Sequence, residues 1–163
     1  MENQIQRRLL ALLRITLSVI FLWAFFDKLL GLGFATSADK SWLAGVSPTQ
    51  GFLTNGTGGP FGQLFQSMGG SVIVDYLFML GLLGVGSALL LGIGMKIATI
   101  SGVTLMMLIY LAGFPPANNP IIDEHIIYIL SLLLLYSARA GEYFGLGKRW
   151  QELPIVKRFS MLS

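Results

Sequence analysis

The sequence predicts an all-α integral membrane protein: a bundle of four transmembrane helices with a long outer loop that carries a short amphipathic helix. Three observations point there. Of 163 residues, 54% are hydrophobic and only 12% charged, and the mean hydropathy is +0.71, more apolar surface than a soluble domain of this length can hide. Four stretches approach the ~20 apolar residues needed to cross a bilayer. The Lys and Arg residues also gather on one side of those stretches.

The first predicted span runs from about Leu9 to Leu30, opening on Arg7 and Arg8 and enclosing Arg14. A basic start, an apolar run and the small residues of "ATSA" also describe a secretory leader. Asp27 and Lys28 separate that tetrad from the run, and the run is long for a leader, so a retained helix is expected.

The outer loop that follows is Gly-rich yet holds Trp42, Phe52, Phe61, Phe65 and Met68, which a plain flexible linker does not. Phe61, Leu64, Phe65 and Met68 recur at helical spacing and predict a short helix lying on the outer leaflet or capping the bundle. Asn55 opens an "NGT" sequon, too short a pattern to carry a function.

The second and third spans, about Val72 to Gly94 and Ile97 to Phe114, are separated by little more than Met95 and Lys96. The fourth, about Ile121 to Ala138, follows "PPANNP", whose prolines stop one helix and start the next. Both pairs are therefore expected to be antiparallel neighbours. The tail, 139–163, mixes Arg139, Lys148, Arg149, Lys157 and Arg158 with Trp150, Leu153, Ile155, Val156 and Phe159, as an anchor to an anionic leaflet does. With Lys96 and the N-terminal arginines on the same side, the positive-inside rule predicts both termini in the cytoplasm. The whole chain is expected to form one domain, 1–163.

In lipid, helices associate through close packing of small residues. Gly84, Ala88 and Gly92, with Gly81 nearby, are expected to form such a face on the second span, and Ala98 and Gly102 on the third. Met106 and Met107 read as filler rather than as haem or copper ligands.

Function classes can be excluded in turn. No Cys is present, so there is no thiolate metal site, CxxC pair or covalent haem attachment. A net charge of +3 lacks the clustered basic surface that nucleic acid requires. One His excludes bis-His haem ligation within a single chain, and no metal site is expected.

The remaining polar residues share one level. If Arg14 snorkels to the inner interface, Asp27 lies 13 residues on, about 20 Å higher at ~1.5 Å per residue, just inside the outer interface. Asp75 falls in the first turn of the second span, and Asp123, Glu124 and His125 in that of the fourth, with Tyr128 and Ser131 continuing Glu124's face inward. Acids at helix N-termini are also simple caps. That reading does not cover Asp27, at the outward C-terminal end of its helix, where an anion needs Lys28, Lys40 or another cation. Ionisable residues inside a span favour a functional site, and crowded carboxylates favour proton exchange near neutral pH.

These features together, "LLRITLSVIFLWAFFDKLLGLG", "SWLAGVSPTQGFLTNGTGGPF", "GLLGVGSALLLGIGMK" and "NNPIIDEHIIYIL", resemble the DoxX family of four-helix prokaryotic membrane proteins, which includes the DoxD subunit of thiosulfate:quinone oxidoreductase. The resemblance spans nearly the whole chain. It implies a prokaryotic cell membrane, and electrons passing from a sulfur compound outside the membrane to a quinone within it. The expected function is a membrane subunit of a quinone-linked oxidoreductase. Asp75, Asp123, Glu124 and His125 would exchange protons, while Arg14, Asp27, Lys28, Trp42 and Tyr128 would bind the quinone or orient the bundle around it. Quinone is then a bound substrate. No residue set here holds flavin, haem or an iron-sulfur cluster, so the redox centre is expected on a second subunit, with homo-oligomerisation the other partner arrangement. The alternative is a non-catalytic module that binds lipid or isoprenoid, or anchors a soluble partner. A proton-coupled transporter fits less well, because transporters place ionisable groups near the bilayer midplane, here around Leu130 and Ser131.

Overall fold

The computed structural model describes residues 3–162, and every regular element among them is helical. Helix α1 spans Gln4–Leu30, α4 Val72–Leu91, α5 Met95–Ala112 and α6 Glu124–Ser137. Short helices α2 (Gln50–Asn55) and α3 (Gly62–Gln66) lie in the outer loop, and α7 (Gly147–Glu152) and α8 (Pro154–Arg158) in the tail. By length and composition α1, α4 and α5 can cross a membrane; α6, at 14 residues, is apolar but shorter.

Capping explains where these boundaries depart from expectation. Helix α1 starts five residues before Leu9 because Asn3 and Gln6 form a capping box, each side-chain oxygen accepting the other's backbone N–H at 2.8 Å. Helix α4 stops at Leu91, not Gly94, because Gly92 turns left-handed at φ 72°. That releases Met95 to open α5, which ends at Ala112 rather than Phe114. Helix α6 starts at Glu124, not Ile121, because the Asn119 side chain accepts from the N–H groups of Ile121 and Ile122, both at 2.9 Å, and Asp123 then caps the helix.

Helix α1 packs on α4, α4 on α5, α5 on α6, and α6 back on α1, so the four close a ring. Phe21, Met79, Val85, Leu89, Leu132 and Leu135 fill its centre. The close approach of α1 to α4 is made at Gly86, where an added Cβ would lie 2.7 Å from Leu22 Cγ; at Gly84 it would meet nothing within 4 Å. The expected Gly84–Ala88–Gly92 face is thus corrected: Gly84 is exposed, and Gly92 serves as a helix cap. Ala98 and Gly102 are both buried, Gly102 between Val85 and Leu132. Of the methionine pair, Met106 is in the core and Met107 points out.

In the outer loop, Leu53 of α2 and Phe65 of α3 pack with Ala112, Met68, Val74 and Leu111 in a second apolar cluster. The expected helix around Phe61 to Met68 is therefore shorter, and its apolar residues split: Phe65 turns inward while Phe61 and Leu64 stay exposed.

At the opposite end Arg14 is fully buried and does not snorkel. Its guanidinium donates to the carbonyls of Leu89 and Leu90 (2.9 Å) in α4, and to those of Tyr143 (3.2 Å) and Phe144 (3.3 Å) after α6. Leu89 and Leu90 are in the last turn of α4, whose carbonyls have no helical partner and carry the negative end of the helix dipole. The surrounding backbone comes close because Gly92, Gly141, Gly145 and Gly147 have no side chain; a Cβ on Gly92 would sit 3.0 Å from Arg14 and one on Gly145 3.1 Å.

Two outcomes test this packing in detergent-purified protein. Gly86→Leu should lower the thermal midpoint, with overpacking costing about 1–3 kcal/mol, while Gly84→Leu should leave it nearly unchanged; equal effects would contradict the assigned interface. Arg14→Met should destabilise by at least the ~1.5–3 kcal/mol of one charged hydrogen bond and open the 140–147 turn to limited proteolysis, with Arg14→Lys intermediate because it keeps the charge and loses the fork.

Candidate functional site

The end of the bundle opposite Arg14 carries Asp27, Asp75, Asp123, Glu124 and His125. At the start of α6, Asp123 makes two bonds to one neighbour: one carboxylate oxygen accepts from the His125 backbone N–H at 3.0 Å, and the other is 2.8 Å from His125 Nδ1. The N-cap geometry thus also fixes the imidazole. Against an ionised carboxylate, which only accepts, Nδ1 is the donor of this bond, and Nε2 takes no part in it. Both side chains are about four-fifths buried, at 21% and 18% exposure. Tyr128, one turn along, meets the imidazole edge to face at 6.5 Å and packs against the core. Tyr110 of α5 donates its hydroxyl to the Ile121 carbonyl at 2.5 Å and ties the α6 entry to the neighbouring helix.

Glu124 is exposed, yet Asp123, Glu124 and His125 offer ligating atoms within 4.8 Å of one another. That is a donor set a divalent cation would accept, although the sequence reading expected no metal here.

Asp75 does a different job. It is 5% exposed, and a single carboxylate oxygen accepts from Ser47 Oγ at 2.8 Å and Thr49 Oγ1 at 2.5 Å, fastening the outer loop to the first turn of α4. Trp42 stacks edge-on against Tyr76 at 5.1 Å beside this fastening. Among the described residues no hydrogen bond or ion pair links Asp75 to Asp123, Glu124 or His125, and α4 and α6 are not adjacent in the ring.

Asp27 forms a third cluster. It is 2% exposed; one oxygen accepts from the Phe34 backbone N–H at 3.3 Å, and the other has no partner among the described residues. Among the described residues neither Lys28 nor Lys40 comes within ion-pair distance of it. Lys28 instead places its ammonium 5.9 Å from the Phe78 ring. Above Asp27 a groove of about 370 Å³ runs along α1, lined by Val19, Ile20, Trp23 and Phe34 among others.

Among the described residues no hydrogen bond or ion pair joins the acids expected to form one wall; their direct contacts fall into three sets: Asp123 with His125, beside Glu124 and Tyr128; Asp75 with Ser47 and Thr49, near Trp42; and Asp27 with the Phe34 backbone, next to Lys28. Arg14 belongs to the far end. Sequence reasoning missed Ser47, Thr49 and Tyr110, since each acts on a partner in another element and no local spacing marks it. No family model, curated protein or solved structure matches this chain.

Removing the Asp75 carboxylate leaves Ser47 and Thr49 without their acceptor. Asp75→Ala should raise amide hydrogen exchange across residues 44–50 by about tenfold or more, with exchange in α6 unaltered. Matching increases in both regions would mean that the clusters are coupled after all.

Proposed function

We propose that this chain is the membrane subunit of a quinone-linked oxidoreductase in a prokaryotic cell membrane, with all four apolar helices crossing and both termini cytoplasmic. The single observation that carries the reading is the Asp123–His125 pair beside Tyr128. Reduction of a quinone to a quinol takes two electrons and two protons. A neutral imidazole whose Nδ1–H is held by a carboxylate can take a proton at Nε2 and deliver it to a carbonyl oxygen, the carboxylate stabilising the imidazolium in between. The Tyr128 hydroxyl can donate a hydrogen bond to the same ring. This chain has no residue set for flavin, haem or an iron-sulfur cluster, so the electrons come from a partner subunit. The DoxX resemblance suggests a sulfur compound as their source.

Asp75 and Trp42 act in this reading by positioning the outer loop, and Arg14 by holding the bundle. Asp27 and Lys28 favour a second reading, a non-catalytic module for a lipid or isoprenoid. The groove along α1 has a mostly apolar lining that also includes Asp27 and Lys28, and one Asp27 oxygen lacks a donor among the described residues.

The discriminating variant is Asp123→Asn, because Asn caps a helix about as well as Asp but gives up the negative charge that supports the imidazolium. In membranes containing the reconstituted partner, quinone turnover should fall by about 100-fold or more, the scale of a lost acid–base contribution, with the helical circular dichroism unchanged. Full turnover in Asp123→Asn and in His125→Gln would leave the lipid module as the reading to pursue.

A further inference from the structure

Another cavity lies at the other end of the molecule, away from these clusters. It holds about 550 Å³ beneath the α4–α5 turn and the end of α6, and the tail closes it from below. A volume of that size suits a small organic ligand and is much larger than a bare anion needs.

Arg139 and Lys157, both exposed, line it, and among the described residues neither side chain has a hydrogen bond or ion-pair partner. One acid, Glu142, shares the lining and accepts from the Gln151 amide at 3.4 Å, so the cations outnumber the carboxylate by one. Lys96 stands beside it, its ammonium donating to the Ser160 carbonyl at 3.4 Å. Arg139 is also backbone-strained, with φ 49° just past the end of α6, a position where glycine fits freely and a side chain costs about 1 kcal/mol or more.

The opposite wall is apolar, formed by Met95, Val156 and Trp150. The indole of Trp150 is set in place by donating to the Leu162 carbonyl at 2.6 Å. The tail turns Leu153, Ile155, Phe159 and Met161 outward, 42–56% exposed, among Lys148, Arg149 and Arg158. Such a segment lies in the headgroup layer of a membrane. A tail placed there would set the cavity near the depth of the lipid phosphates.

We propose that this cavity binds the headgroup of an anionic membrane phospholipid. Arg139 and Lys157 take the phosphate oxygens, and Met95, Trp150 and Val156 flank the glycerol and the upper acyl chain. The site is independent of the redox reading and needs only that the chain lie in a bilayer.

The test is native mass spectrometry of the delipidated full chain in detergent, titrated with phosphatidylglycerol, with phosphatidylcholine and with inorganic phosphate. One phosphatidylglycerol per chain should bind in preference to phosphatidylcholine and resist displacement by millimolar phosphate. Affinity should fall by about tenfold or more in Arg139→Gly, which relieves backbone strain and so keeps the fold, and further when combined with Lys157→Gln. Lys148→Gln with Arg149→Gln removes as much charge from outside the cavity and should change affinity far less. Three results would overturn the proposal: equal binding of the two lipids, equal loss in both double variants, or ready displacement by inorganic phosphate, which would identify a soluble phosphate ligand instead.

Discussion

A guanidinium sealed among main-chain carbonyls is the constraint on which the rest of this structure depends. Arg14 cannot shed its charge and finds no carboxylate among the described residues; it is neutralised only by dipoles. Two of its acceptors come from the last turn of α4 and two from the turn after α6. One side chain therefore sets the height of α1 against α4 and holds the return of the tail. The Leu146 N–H closes the same joint by donating to the Leu91 carbonyl at 2.8 Å. Gly92 and Gly145 follow from this arrangement, since their backbone approaches the fork closely, while Gly141 and Gly147 let the chain segments around it pack on one another and on Gly92.

The two ends of the bundle are built on opposite electrostatic plans. At the Arg14 end, cations meet carbonyls and cavity walls, and the tail adds more positive charge. At the other end, carboxylates meet hydroxyls, an imidazole and backbone N–H groups, each acid in its own small network. The apolar centre between them has few polar interruptions, Ser18 and Thr99 being buried hydroxyls without partners among the described residues.

How far the sequence reveals this depends on whether the cause is local. Apolar runs locate α1, α4 and α5, because bilayer-length hydropathy is a property of each run alone. Helix ends were misplaced where a single polar residue decides them, although Asn3 with Gln6 and Asp123 ahead of His125 are both readable as caps. The helix face was wrong at Gly84 and Gly86, since periodicity marks small residues without saying which neighbour they meet. Arg14 was expected to snorkel because its acceptors lie at least 75 positions away. Asp75 was grouped with the other acids for the same reason, as its partners Ser47 and Thr49 belong to a loop whose path the sequence does not define. The sequence places Asp123, Glu124 and His125 together at a helix start, but only the structure pairs Asp123 with His125, since the imidazole rotamer is not a matter of spacing.

The inequality of the helices has a consequence for the surrounding lipid. Helix α1 has 27 residues and α6 only 14, lengths of about 40 Å and 21 Å against a hydrocarbon thickness of about 30 Å. In a bilayer α1, whose two ends carry Arg7, Arg8 and Lys28, would reach past the hydrocarbon layer on its own, whereas α6 would fall short of it.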